Sequence, residues 1–220
     1  RATSASDDTG ALQRAAWAQR RLAGGPPPDA GGWSAGLPLF LGRAPSATAD
    51  LAALLDRGTG LHPFVLAHLA WRAALLATDS DAAPVEAAVL AARIAAADTA
   101  AAPFLPLAFA GDRALRATGP VTDRLRLWLT GAEGATRAAL AHLDRLATWE
   151  TRARTAATTT AARAIVTACA ARPQISAAEA AALTGASRAT AQRHLATLTI
   201  AGVLRELTGQ GRFRVWTARI

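Results

Sequence analysis

Among the side chains able to do chemistry, the informative group lies in the run ALTGASRATAQRHLATL, from Ala182 to Leu198. Ala191, Leu195 and Leu198 recur at helical spacing and define an apolar side, which leaves Arg188, Ala189, Gln192, Arg193 and Ala196 facing outward. Arginine and glutamine each pair two hydrogen bonds with a guanine or an adenine edge, worth about 1–3 kcal/mol of discrimination between bases. Arg188, Gln192 and Arg193 are therefore the candidates for base edges or nearby phosphates. Ser187 and Thr190 stand at the start of the same helix, where hydroxyls suit phosphate contact. His194 falls near the buried flank and reads as a packed histidine rather than a ligand.

Three helices and a hairpin must hold that face in place. TTAARAIVTACAAR reads as a first helix, stopped by Pro173. A second opens with Ser176 as its cap, has Glu179 three residues on to complete a capping box, and runs to Gly185. The third opens with Ser187 and extends from Arg188 to about Ala201, where Gly202 ends it. Ala181, Gly185, Ala191 and Leu195 stand where a helix-turn-helix needs a small contact residue, a turn glycine and apolar groups under the second helix. GVLRELTGQGRFRVWTA then supplies two short β segments joined at TGQG. In the second arm Phe213 and Val215 point to one face and Arg212 and Arg214 to the other, which makes these arginines candidates for the DNA backbone or minor groove. Residues 158–220 are thus expected to form a winged helix-turn-helix with a small β-hairpin wing.

The distribution of charge points the same way. Residues 1–150 carry 14 arginines and 14 Asp plus Glu, whereas residues 151–220 carry ten arginines against Glu179 and Glu206. The whole net charge of +8 therefore lies in the last third, where a polyanion is the natural partner. The choice of arginine over lysine carries no weight, because the chain lacks Lys, Asn, Tyr and Met together, as a GC-rich gene would dictate. With Arg1 first and no methionine anywhere, a preceding N-terminal segment is expected.

Upstream, roughly a quarter of the residues are alanine, so the 51% hydrophobic content overstates the large side chains available to a core and favours helices. Thr9 to Ala23 reads as a short helix with Leu12, Trp17 and Leu22. AGGPPPDAGGWSAGLPLFLGRAPSA then reads as a long irregular loop. From Thr48 onward six helix-length blocks follow, covering 48–58, 62–79, 81–98, 102–117, 120–131 and 133–155. RLRLWL alternates like a strand, yet its helical surroundings favour helix. Leu140, Leu143 and Leu146 read as core positions rather than a dimer seam, with Glu150 and Arg154 an exposed pair. The expected organisation is an N-terminal helix and Gly/Pro-rich loop over 1–47, a helical domain over 48–157 and the winged helix over 158–220, a mainly α chain.

The run SRATAQRHLATLTIAGVLRELTGQGRFRVW resembles the winged helix appended to many bacterial Fic-family proteins: a serine-led recognition helix, Gly-x-Leu-Arg-Glu, then Thr-Gly before two wing arginines. LRLWLTGAEGATRAALAHLDRL is similar to the helices that join a Fic core to that module, and His62-Pro63-Phe64 is similar to the start of the Fic catalytic motif. The chain as a whole resembles an uncharacterised alphaproteobacterial family in which a helical domain of unknown function precedes this helix-turn-helix. Fic catalysis needs an acidic residue and Gly-Asn-Gly-Arg after that histidine, and here Leu66 replaces the acid while Ala67, His68, Leu69 and Ala70 replace the rest. The Fic catalytic motif is not retained. Pro63 instead suits the first turn of a helix, with Phe64, Leu66 and Leu69 feeding a core.

Other chemistry is not encoded at recognisable spacing. His62 and His68 fall on different helix faces, His142 has only Asp144 beside it, and neither arrangement suits a metal or a triad. A Walker-type glycine loop is missing. The lone Cys169 excludes an internal disulfide and sits in an apolar run, as a buried packing residue would. No catalytic residue, metal or cofactor is expected. There is no run of 18 apolar residues and no apolar signal core at the start, so a soluble cytoplasmic protein is expected, without a membrane partner. The resulting expectation is a non-enzymatic transcriptional regulator that docks the 188–201 helix in the major groove of double-stranded DNA, as a homodimer if half-sites are paired, with its effector unassigned. The competing expectation is a non-catalytic Fic-like interaction protein whose winged helix mediates protein contacts.

Overall fold

Helix-length blocks rich in alanine commit the chain to packed helices. The computed structural model describes residues 5–77, 82–99, 102–172, 174–208 and 214–220, with backbone alone for 5–12 and Asp112. Among these residues the helices are α1 (Ala5–Ala23), α2 (Trp33–Leu41), α3 (Ala49–Arg57), α4 (Pro63–Ala77), α5 (Ala83–Ala95), α6 (Gly111–Leu115), α7 (Val121–Ala156), α8 (Thr160–Ala171), α9 (Ala177–Thr184) and α10 (Arg188–Ile200). The strands β1 (Ile175–Ser176), β2 (Leu204–Glu206) and β3 (Val215–Ala218) form one antiparallel sheet. The fold is mainly α with a small C-terminal β wing, as the patterning predicts. Among the described residues no helix is long and apolar enough to cross a membrane.

The chain divides into two compact units, Arg1–Ala139 and Leu140–Ile220, each with its own core. Residues before Thr48 share the first core through Trp33, Leu37, Phe40 and Leu41, and the second core begins with Trp149, ahead of residue 158. Helix α7 contributes Trp128 and Ala132 to the first core and Trp149 and Ala153 to the second.

Within the first unit α4 packs against α5, and Ala67 and Ala70 of α4 and Ala87 and Ala91 of α5 are all fully buried. Tryptophans lock the remaining elements by placing their one polar atom on a backbone carbonyl. Trp71 Nε1 donates to the Leu115 carbonyl at 3.1 Å and Trp128 Nε1 to the Phe64 carbonyl at 2.9 Å. Arg21 of α1 stacks over the Phe40 ring and donates to the Leu39 carbonyl at 2.9 Å, fastening α1 to α2.

Four upstream expectations are corrected. The segment expected to be an irregular loop contains α2, although Pro38 lies inside it. An internal proline costs about 3 kcal/mol or more, but α2 buries Trp33, Leu37, Phe40 and Leu41, and each large side chain returns about 1.5–3 kcal/mol. Gly36 permits the packing, since a Cβ there would meet the Pro28 carbonyl oxygen at 2.6 Å. Conversely, the 102–117 block is not one helix: Leu107–Phe109 form a single 3-10 turn and α6 is five residues long. Pro103 and Pro106 remove donors there, and Gly111 adopts φ +74°.

The third correction concerns the 120–131 and 133–155 blocks, which form the single helix α7 and include RLRLWL in helical form. The fourth concerns Leu140 and Leu143, which are not core residues but are each 57% exposed; Leu146 packs partly buried against the second core.

Candidate nucleic-acid interface

The second unit is assembled around Trp149, whose indole is fully buried and donates to the Val203 carbonyl at 2.7 Å. Helix α8 starts where Thr159 Oγ1 accepts from Ala162 N at 3.1 Å. It ends at Arg172 in extended backbone, while Pro173, the expected stop, lies outside the described residues. Ile165, Val166 and Cys169 of α8 meet Ile175, Leu195, Leu198, Leu204 and Trp216 in one core. The sheet order is β1-β3-β2, with Ile175 opposite Trp216 and Leu204 opposite Ala218. Strand β1 escapes sequence reading because two residues are too few to show alternation.

Each helix of the pair begins and ends as its residue types predict. Ser176 Oγ accepts from Glu179 N at 3.2 Å while Glu179 Oε2 accepts from Ser176 N at 2.8 Å, a complete capping box. The two Ser176 donors hold the Glu179 carboxyl below its ordinary range, backbone N–H first and hydroxyl second. Gly185 then turns the chain at φ +65°, a left-handed conformation that costs other residues about 1–2 kcal/mol. Ser187 Oγ caps α10 by accepting from Thr190 N at 3.2 Å. Ala180 is the fully buried small residue of α9, and Ala181, the expected contact, is partly buried against the same core.

Helix α10 is split lengthwise as its spacing requires. Ala191, Leu195 and Leu198 are buried, while Ser187, Arg188, Ala189, Gln192, Arg193 and Ala196 are exposed and His194 is half-buried. Among the described residues no hydrogen bond engages the side chains of Arg188 or Gln192. Arg193 is held differently: its guanidinium donates to Thr190 Oγ1 at 3.1 Å, and Thr190 Oγ1 lies 3.0 Å from Ser187 Oγ. Ser187, Thr190 and Arg193 thus form a connected polar line along the first two turns. Thr190 is itself partly buried.

The wing is less openly basic than its sequence implies. Arg212 and Phe213 lie outside the described residues, as does the Gly209–Gly211 part of the expected turn. Trp216 enters the core at 2% exposure, and Val215 is only half-buried. Strand alternation therefore puts Arg214 on the same side of β3 as Trp216, past the end of the core. There Arg214 Nε sits 3.6 Å from Glu206 Oε1, which also accepts from Thr208 Oγ1 at 3.3 Å. Exposed Arg205 on β2, paired in register with Thr217, is a cation that sequence reasoning did not single out. Its signal was present, since it alternates with buried Leu204.

Elsewhere the titratable groups have structural surroundings. His62 Nδ1 accepts from Phe64 N at 3.3 Å and so caps α4, with Pro63 at the first helical position. His68 is 7% exposed, its ring 5.2 Å from that of Trp128, and its Nδ1 makes no hydrogen bond. Burial, then the charges of Arg124 and Arg72, lower its pKa below the ordinary 6.5. Burial pushes the Cys169 thiol up to about 11. Among the described residues no group of three His, Cys, Asp or Glu side chains is placed to hold a metal ion. Compared with known proteins, the chain matches no protein-family model and no curated protein.

Proposed function

We propose that the C-terminal unit binds double-stranded DNA, with α10 in the major groove and the wing against the backbone, and that the chain is a non-enzymatic transcriptional regulator acting in the cytoplasm. One observation carries the reading: the outward face of α10 presents Arg188, Gln192 and Arg193 while its opposite face closes the core. That face belongs to a segment with ten arginines against two carboxylates, and both carboxylates are engaged locally, Glu179 by Ser176 and Glu206 by Arg214. The excess positive charge is left for a polyanion. The line from Ser187 through Thr190 to Arg193 orients the guanidinium before binding, which lowers the ordering cost of a base or phosphate contact. Pairing of half-sites favours a homodimer, and exposed Leu140 and Leu143 on α7 offer apolar groups to a second copy. The resemblance to the Fic-associated winged helix agrees with this assignment.

The test is duplex binding by the full chain, measured by fluorescence anisotropy at several salt concentrations on genomic fragments selected by the protein. The log-log salt slope should steepen by about 0.9 for each phosphate contacted. Arg193→Ala or Gln192→Ala should alter preference among sequences, each at a cost of about 1–3 kcal/mol on the preferred site. Arg214→Ala should weaken all duplexes alike. Equal losses on every sequence for all three variants would reduce the activity to nonspecific binding. Absence of duplex binding at low salt would overturn the reading in favour of a protein-docking winged helix.

A further inference from the structure

The first unit contains a cleft of about 790 Å3 bordered by α4, α5 and the segment between Phe104 and Arg116. Its walls include Leu75, Val85, Ala88, Phe104 and Phe109, and among the described residues no carboxylate lines it. Among the described residues the charged groups there are Arg72 and Arg116. Trp71 also lines the cleft, but its single polar atom is already committed to the Leu115 carbonyl at 3.1 Å. Arg72 and Arg116, which also line the cleft, directly follow the two residues joined by that hydrogen bond. Among the described residues no hydrogen bond or ion pair engages the Arg72 side chain.

Small-molecule sites are concave, about 300–1,000 Å3 in volume, and mostly apolar with a few placed polar groups. A guanidinium beside apolar walls selects further, because its planar fork matches the two oxygens of a carboxylate. A neutral ligand of the same shape leaves that fork unused, and a cationic one meets the positive charge of Arg72. We propose that this cleft binds a small amphipathic carboxylate, with its hydrocarbon body against the Leu75–Ala88–Phe104 walls and its carboxylate on Arg72. The cleft is lined by residues of the first unit, and the proposal does not depend on whether the C-terminal unit binds DNA.

The test uses the full chain and isothermal titration with decanoate below its micelle concentration, decan-1-ol and decylammonium. Decanoate should saturate one site per chain and bind about tenfold or more tightly than decan-1-ol, with decylammonium weaker still. Arg72→Ala should weaken decanoate by about tenfold and leave decan-1-ol within about twofold, because only the charged contact is removed. Arg72→Gln, which keeps more of the side-chain stem, should do the same, and far-UV circular dichroism checks that both variants fold. Ala88→Trp should fill the cleft and abolish binding of all three probes. The proposal fails if decanoate does not saturate, if decanoate and decan-1-ol bind equally, or if Ala88→Trp leaves binding intact. Sedimentation velocity covers the remaining occupant: a dimer that Ala88→Trp dissociates, with no decanoate binding, would mean that a second copy fills the cleft and would overturn the proposal.

Discussion

The same substitution, Gly to Ala, is expected to have opposite effects at two positions of α7 only three residues apart. Gly131 and Gly134 both lie inside Val121–Ala156, where an alanine improves intrinsic helix propensity by about 0.8–1.0 kcal/mol. At Gly134 the added Cβ meets nothing within 4 Å, so the full gain should appear. At Gly131 the Cβ would fall 2.2 Å from the Ala114 Cβ, whereas carbon atoms rest at about 3.5–4.0 Å. Helix α6 must therefore retreat by more than an ångström, and Ala114 is only 4% exposed, so its packing goes with it. Overpacking of this kind costs about 1–3 kcal/mol, which outweighs the propensity gain over most of that range. Thermal unfolding followed by far-UV circular dichroism reads the result at about 2–4 °C per kcal/mol for a chain of this size. Gly134→Ala should raise Tm, and Gly131→Ala should lower it. Adding Ala114→Gly to Gly131→Ala should recover part of the loss, a positive coupling between touching residues. If Gly131→Ala raises Tm as much as Gly134→Ala, the close approach of α6 and α7 is refuted.

Three further outcomes follow from buried groups. Trp149→Phe removes the indole bond to the Val203 carbonyl, but Arg219 N still donates to that oxygen at 3.0 Å. The loss is then about 1 kcal/mol for the hydrogen bond plus about 1–2 kcal/mol for the void, measured as a lower urea midpoint; an unchanged midpoint would rule out this anchor. His68 has a folded pKa below its ordinary 6.5, so the unfolded chain takes up the proton first on acidification. Its stabilising contribution is complete above 6.5 and is lost as pH falls from there toward the folded value. Between about pH 7.5 and 5.5, Tm should therefore drop less in His68→Gln than in the wild type, and an equal drop would disprove the assignment. Cys169, with its thiol pushed up to about 11 and 3% exposure, should react with a chromogenic disulfide only after denaturant is added. Stoichiometric labelling of the native chain would contradict that burial.

The C-terminal unit was legible in the residues because its signals are local. Ser176 with Glu179, Gly185, Ser187 and the Ala191–Leu195–Leu198 spacing each specify a cap, a turn or a face within a few residues, and the structure has each of them. The mainly α class, with a short C-terminal hairpin, followed for the same reason. Pairings distant in sequence could not be read that way. Helix α2 forms against the propensities of its own proline and glycine because four large side chains find a core built with α3–α5. Gly131 sits inside α7 because Ala114 of another helix presses on it, and Leu140 and Leu143 keep a core-like spacing yet stay exposed. Arg214 carries the charge expected of a wing, but which carboxylate stands beside it depends on the pairing of β2 with β3. In the C-terminal unit, sequence alone determined where helices start, turn and present their arginines. Tertiary structure decided which apolar faces are covered, which glycines are crowded and which charges are neutralised, because those depend on what the rest of the chain brings within a few ångströms.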